Sequence, residues 1–364
     1  MVNRRNLLIG AGAVVVAGAA AVTYEVRQMG SMDSYAAAMS ALRAPLPASP
    51  TLADLVRFAT LAANSHNTHA WRFRLAGDTV QILTDVARAT PVVDPDNHHL
   101  FISLGCAAEN LIVAAASRGM PGEVRFDPET SELSFDHTTG AATDTALSDA
   151  IPQRQSTRGM YDGSALTPAE LDLLTNAAGF DGVDLVLITD PVQMGQLSDL
   201  IATGNTAQLA DPAFMTELKH WMRFNPRSAL TNDDGLFSAA SGNPSLPDWL
   251  GPSMIDWVFK AAGDNTKTAA KIASSAGMAV FVGTTEDAAS WVQVGRACQR
   301  FALQATAMGL KHAFLNQPVE VASLRPDLAN LIGMPGRQPD LVMRFGRGAA
   351  MPFSPRRPVT EVMI

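Results

Sequence analysis

Two short stretches carry residue types whose spacing suits the grip of a small phosphorylated molecule. In Arg154-Gln155-Ser156-Thr157-Arg158, two guanidinium forks flank a hydroxyl. That set matches a phosphate monoester, each arginine giving paired bonds and the serine one more. The tail Ser354-Pro355-Arg356-Arg357-Pro358 adds two cations, and Arg356 or Arg357 closes the same pocket if the chain returns there. A solvated charge cluster is the alternative reading. In Ser65-His66-Asn67-Thr68-His69-Ala70-Trp71, Ser65 and Asn67 offer donors and acceptors suited to the edge of a heterocycle and its polyol chain. The alternative there is a polar loop around a satisfied histidine. His66, His69, His98 and His99 invite a metal reading, but no cysteine or carboxylate pattern completes a recognised set, and no metal is expected.

The elements that must position these stretches follow from periodicity. A helix from Thr51, with Asp54 three residues on, ends just before the Ser65 loop. Trp71 to Leu75 and Thr79 to Thr84 alternate around Ala76-Gly77-Asp78 and form a hairpin, as do Glu123 to Phe126 and Glu132 to Phe135. Phe101 to Arg118 is apolar nearly all round, which predicts a buried helix closed by Gly119. Beyond the polar linker His137 to Ser148, a helix from Thr167 to Ala178 is predicted, as is a buried one from Ala288 to Met308. Strands are predicted at Asp184 to Thr189, Met278 to Gly283 and Leu341 to Arg344. Residues 210–271 read as an insertion rich in aromatic residues, placed to act as a lid.

The chain also repeats itself. Phe101 to Met120 overlies Trp291 to Leu310 without a gap, Gly105 matching Gly295 and Ala107 matching Ala297, and Thr51 to Ala62 overlies Thr167 to Ala178. The halves 51–148 and 149–364 are therefore expected to fold as an α+β pseudo-dimer within one chain, a dimer-like fold that allows a monomer. The small residues let the two buried helices approach closely. Cys106 and Cys298 then lie near the crossing, as a disulfide or, the plainer reading, as two packed thiols.

A net charge of -8 argues against nucleic acid as a partner, and 47% apolar with 17% charged residues describes a packed globular chain. Arg4-Arg5 ahead of the Gly/Ala-rich stretch Gly10 to Val22 has the pattern of a twin-arginine export signal. Residues 1–30 are accordingly read as a signal or anchor handled by the twin-arginine machinery, and 31–50 as a tether ending in a short helix. The expected location is exported, periplasmic or anchored facing the periplasm.

At these residues the chain resembles the nitroreductase family of FMN-dependent flavoproteins, and within it the duplicated Acg-like branch. Ser65, Asn67 and Trp71 correspond to the family's Ser-x-Asn-x-Gln-Pro-Trp motif, with His69-Ala70 in place of Gln-Pro. Arg154, Ser156 and Arg158 correspond to its phosphate motif, Leu315-Asn316 to the segment passing the flavin N5, and Arg356-Arg357 to its closing basic motif. The resemblance implies that Ser65, His66, Asn67, Arg154, Ser156, Arg158, Leu315, Asn316, Arg356 and Arg357 hold FMN. It also implies ping-pong electron transfer to a small-molecule acceptor such as a nitroaromatic or quinone, with no catalytic side chain required. An exported member would draw electrons from a membrane quinol or a redox partner. A flavin-sequestering protein without turnover is the alternative. Because the first half lacks the arginines and the second offers only Gly179-Phe180-Asp181-Gly182 where the asparagine loop should be, one FMN per chain is expected.

Overall fold

The computed structural model describes residues 27–258 and 260–364, and the expected export segment falls almost wholly outside the described residues. Ser31 accepts a hydrogen bond from the Ser34 amide and opens helix α1 (Met32–Leu42) within the stretch expected as a tether. Tyr35 and Met39, one turn apart, are both buried, so this stretch is a packed element.

The first half continues with α2 (Leu52–Ala59), β1 (Trp71–Ala76), β2 (Thr79–Thr84), α3 (His98–Ala116), β3 (Gly122–Asp127) and β4 (Glu132–His137). The short α4 (Thr145–Ala150) leads into α5 (Pro168–Ala177) and β5 (Val183–Ile188). A long excursion follows: α6 (Pro191–Ala210), α7 (Pro212–Trp221), β6 (Met222–Arg223), α8 (Pro226–Asn232), β7 (Leu236–Phe237), α9 (Gly251–Val258) and α10 (Ala261–Ala273). The chain then returns through β8 (Gly277–Gly283), α11 (Ala288–Ala307), β9 (Lys311–Phe314), α12 (Gln317–Glu320), α13 (Arg325–Leu331), β10 (Leu341–Gly346) and α14 (Val359–Val362).

Both halves follow one plan. Thr51 with Asp54 and Thr167 with Glu170 form reciprocal capping boxes that start α2 and α5. Each half then builds a four-stranded antiparallel sheet in the same order, β1-β2-β4-β3 and β5-β8-β10-β9, with its long helix between the second and third strands. The fold is α+β, an intramolecular pseudo-dimer. The excursion stands where the first half has only its Gly77-Asp78 turn, and it opens earlier than the aromatic composition suggests, with α6. Strand β9 was not predicted, because its four residues are too few to alternate and include Lys311 and His312.

Helices α3 and α11 cross at two glycines. A Cβ on Gly105 would stand 2.1 Å from the Val292 carbonyl oxygen, and one on Gly295 2.1 Å from that of Ile102. In the repeat register Ile102 overlies Val292, so the two approaches are mates about the pseudo-twofold axis. Both cysteines are free and buried there, the Cys106 thiol donating to the Gly295 carbonyl at 3.2 Å. They pack as thiols. Around the crossing, Gln299 donates to Asn110 at 2.7 Å, and buried Glu109 pairs with Arg296 at 3.1 Å and Arg300 at 3.2 Å. α3 is the one helix among the described residues long and apolar enough to cross a membrane, yet 89% of that window lies inside the protein.

The crossing sets opposite signs for two Gly→Ala changes. Gly195, inside α6, has nothing within 4 Å of the point where a methyl group would stand, so Gly195→Ala should stabilise by up to about 1 kcal/mol through helix propensity. Gly105→Ala should instead destabilise by roughly 1–3 kcal/mol or more, because backbone atoms must separate. Urea unfolding midpoints of the two variants against the parent check both signs.

Candidate functional site

The loop between α2 and β1 departs from ordinary backbone geometry. His66, Asn67 and His69 have φ of 44°, 56° and 53°, left-handed values that non-glycine residues adopt only when their surroundings hold them. The restraints are visible. Asn64 Oδ1 accepts from the His69 amide at 2.9 Å, while Asn67 Nδ2 donates to the carbonyls of Gly235 and Pro355, each at 3.0 Å. Asn67 Oδ1 accepts from Arg356 and lies 3.1 Å from His69 Nε2. The Gly235 amide returns a bond to the Asn67 carbonyl at 2.8 Å. Asn67 thus lines the site while its amide is committed to joining loop, excursion and tail. His69 is buried against Trp71, and burial followed by the neighbouring Arg356 keeps its ring neutral.

This loop forms one wall of a cavity of about 350 Å³, within the size range of cofactor pockets. Ile102, Ser103 and Cys106 of α3 form its floor, and Arg154, Ser156 and Arg158 enter from the second half. Asn316 and Gln317 face it beside β9, and Arg356 and Phe353 enter on the returning tail. The excursion contributes Leu209, Phe214, Leu218 and Leu236. Of the predicted residues, Ser65, His66, Asn67, Arg154, Ser156, Arg158, Asn316 and Arg356 meet here. Leu315 and Arg357 do not line the cavity. Leu315 packs against the core beneath β10, with its amide spent on the Val342 carbonyl, and Arg357 turns to Asp85 and Glu361.

No family model matches the chain. It is 23% identical over 338 residues to the Mycobacterium tuberculosis protein named "Putative NAD(P)H nitroreductase Rv3131", covering 89% of this chain and 94% of that protein. It is 24% identical over 326 residues to "Putative NAD(P)H nitroreductase acg" of the same organism, covering 84% and 93%. Over most of its length the chain is thus similar to proteins named as putative NAD(P)H nitroreductases. Similar solved structures include a nitroreductase with bound FMN from Desulfitobacterium hafniense, with 16% identity, 58% and 94% coverage and a TM-score of 0.37. Another is the FMN-dependent nitroreductase NfnB from Mycobacterium smegmatis in complex with NADPH, with 11% identity, 56% and 87% coverage and a TM-score of 0.37.

The electrostatics at the arginine end of the cavity are lopsided. Arg154 is 2% exposed and Arg356 5%, yet among the described residues neither has a carboxylate partner. Arg154 donates to the Leu61 carbonyl at 2.9 Å and leaves its buried Nε and Nη1 without a partner; Arg356 leaves its Nε so. Burial pushes the Arg154 guanidinium down to about 10, the mark of a cation held where no counter-charge offsets desolvation. A phosphate monoester seated among these side chains would supply the missing negative charge and several acceptors at once.

The pseudo-symmetric location, beside the Gly179-Phe180 turn that mirrors the Ser65 loop, offers no such set among the described residues. Phe180 lies there beneath the Arg296 guanidinium, 5.1 Å from its ring centre, and Arg300 is spent on Glu109 and Asp144. Sequence reasoning missed Arg43, Gln317 and Glu320, which also line the cavity. A signal existed for Arg43: Tyr35, Met39 and Arg43 fall one turn apart, so the arginine extends the buried stripe of α1.

Two histidines, His312 fully buried and His66 half-buried at the cavity wall, make stability depend on pH. Burial, then Arg154, holds His312 down to about 3, and burial, then His99, holds His66 down to about 4. Both folded values lie below that of a free histidine, so the unfolded chain binds more protons in acid. Their contribution is complete above about pH 6.5 and is lost as pH falls toward 3, on the order of a few kcal/mol for the pair. His312→Gln should flatten the fall in unfolding free energy between pH 6.5 and 4, measured by urea titration at each pH.

Proposed function

We propose that this chain is an FMN-dependent oxidoreductase of nitroreductase type that carries one flavin at the seam between its halves. The observation behind the reading is the donor set: Arg154 and Arg356, buried and without carboxylate partners among the described residues, line a cavity of cofactor size beside Ser156 and Arg158. These four residues would hold the phosphate. Ser65, Asn316 and Gln317 would supply hydrogen-bonding groups along the wall, the Gln317 Oε1 being buried and unpartnered. Bound FMN supplies reversible hydride and electron chemistry, and the protein need only bind, orient and exclude water. The apolar cover from Phe214, Leu218 and Leu236 serves the last purpose.

We infer further that the two halves descend from one duplicated unit and that the N-terminal residues direct export through the twin-arginine machinery. An exported enzyme sits apart from the NAD(P)H pool, which favours a membrane quinol or a redox protein as donor and a quinone or nitroaromatic as acceptor. A second reading, flavin storage without turnover, is favoured by how firmly the excursion is fastened. Buried Asp234 pairs with both Arg88 and Arg223, and Glu217 accepts from the Val92 and Val93 amides at 2.9 and 3.1 Å.

Purified full chain should contain close to one FMN per protein; a ratio near two, or a colourless protein that takes up no added FMN, overturns the reading. Arg154→Met should remove most of the flavin yet raise the unfolding free energy of the flavin-free protein by roughly 1–4 kcal/mol, because an unpaired buried cation is gone. Anaerobic photoreduction followed by a quinone or nitroaromatic separates the two readings, rapid reoxidation marking the enzyme and persistence of the reduced state the store.

A further inference from the structure

The N-terminal arm is built into the cation cluster. Arg43, directly after α1, is 8% exposed and lines the cavity. It donates to the Met39 and Ser354 carbonyls, each at 3.4 Å, its guanidinium lies 4.0 Å from the centre of the Phe353 ring, and its buried Nε has no partner. Like Arg154 and Arg356, it has no carboxylate partner among the described residues. The three cations also act on one another, Arg154 opposing the charge on Arg43, and Arg43 and Arg154 that on Arg356. Three like charges buried in one place repel unless an anion lies among them.

What Arg43 is attached to gives this a consequence. The Tyr35 hydroxyl donates to the Phe353 carbonyl at 2.7 Å, so α1 and Arg43 grip the same tail that delivers Arg356. Tyr35 and Met39 form a small separate core with Ala229, Phe237 and Ala240 of the excursion. Elsewhere the arm is held by Arg57, which donates to the Leu42 and Ala44 carbonyls, and by the Arg227 amide on the Met29 carbonyl. Arm, tail and excursion therefore meet around Arg43.

We propose that Arg43 is a further ligand of the cofactor phosphate, and that phosphate binding latches α1, and through it the excursion, onto the body of the protein. The latch rests on the FMN reading above. It makes docking of the arm, which continues directly from the arginine-led N-terminal segment, a report that the cofactor is in place.

Hydrogen exchange of residues 27–46 in the full chain, stripped of flavin and then supplied with FMN, riboflavin or inorganic phosphate, tests it. FMN should slow exchange across α1 by at least about tenfold, millimolar phosphate should do so in part, and riboflavin, which lacks the phosphate, should not. Arg43→Ala should weaken FMN binding, followed by flavin fluorescence, by roughly 10- to 100-fold while leaving riboflavin within about twofold, with Arg43→Lys between. Tyr35→Phe, which leaves every cation in place, should exchange faster throughout yet keep its response to FMN. Equal losses for FMN and riboflavin in Arg43→Ala, or arm exchange that ignores FMN once it is bound, overturn the latch alone. Failure of FMN to bind the parent chain overturns the cofactor reading and the latch together.

Discussion

The contact on which the rest of the molecule depends is the approach of two helix backbones at Gly105 and Gly295. With no Cβ at either position, the Val292 and Ile102 carbonyls can lie against the opposite helix, and the two halves share a single core instead of meeting across a layer of side chains. The same closeness brings the Ile102, Ser103 and Cys106 face of α3 under the arginines of the second half. Neither half alone contains that combination. Polar neighbours reinforce the seam: the Asn110 and Gln299 amides satisfy each other and the α2 segment, through the Phe58 carbonyl and the Ala63 amide. The end of α2 is thus tied to the crossing, and its Leu61 and Ala62 carbonyls receive Arg154 and Arg356.

The site spends stability. Guanidinium groups that donate to carbonyls remain solvated in part, but no carbonyl neutralises them, and the burial of Arg154 and Arg356 is a standing cost to the protein. The left-handed backbone at His66, Asn67 and His69 adds to it. Each cost is met locally by links between distant parts of the chain, Asn67 alone reaching the excursion, the tail and His69. Rigidity and charge are concentrated together, as expected of a surface shaped before its ligand arrives.

Much of this was legible in the sequence because the signals were periodic or duplicated. The buried character of α3, the matching capping residues Thr51 and Thr167, and the ungapped register of α3 over α11 all follow from local pattern. The meeting of Ser65, Arg154 and Arg356 rests on motif resemblance, since no periodicity brings residues so far apart into one cavity. Illegible were features decided by tertiary packing. The Ala- and Ser-rich composition around Arg43 hid a buried stripe, β9 was too short to alternate, and Arg357 differs from Arg356 only in which way the tail turns at that point. The aromatic residues of the excursion were visible, but Trp221 packs against Arg88 and Phe237 against Tyr35, and the less conspicuous Phe214 reached the cavity.

The excursion between β5 and β8 exists once, where the first half turns through Gly77-Asp78. In an assembly of two identical chains every substitution is written twice, and a cover grown over one pocket must be tolerated over its mirror image. Two halves carried on one chain are free of that requirement. The second half is free to elaborate a cover and keep arginines for one pocket, while its own counterpart of the Ser65 loop, Gly179-Phe180-Asp181-Gly182, places Phe180 against Arg296. Asymmetry, which a homodimer can acquire only by breaking its own symmetry, is here simply inherited.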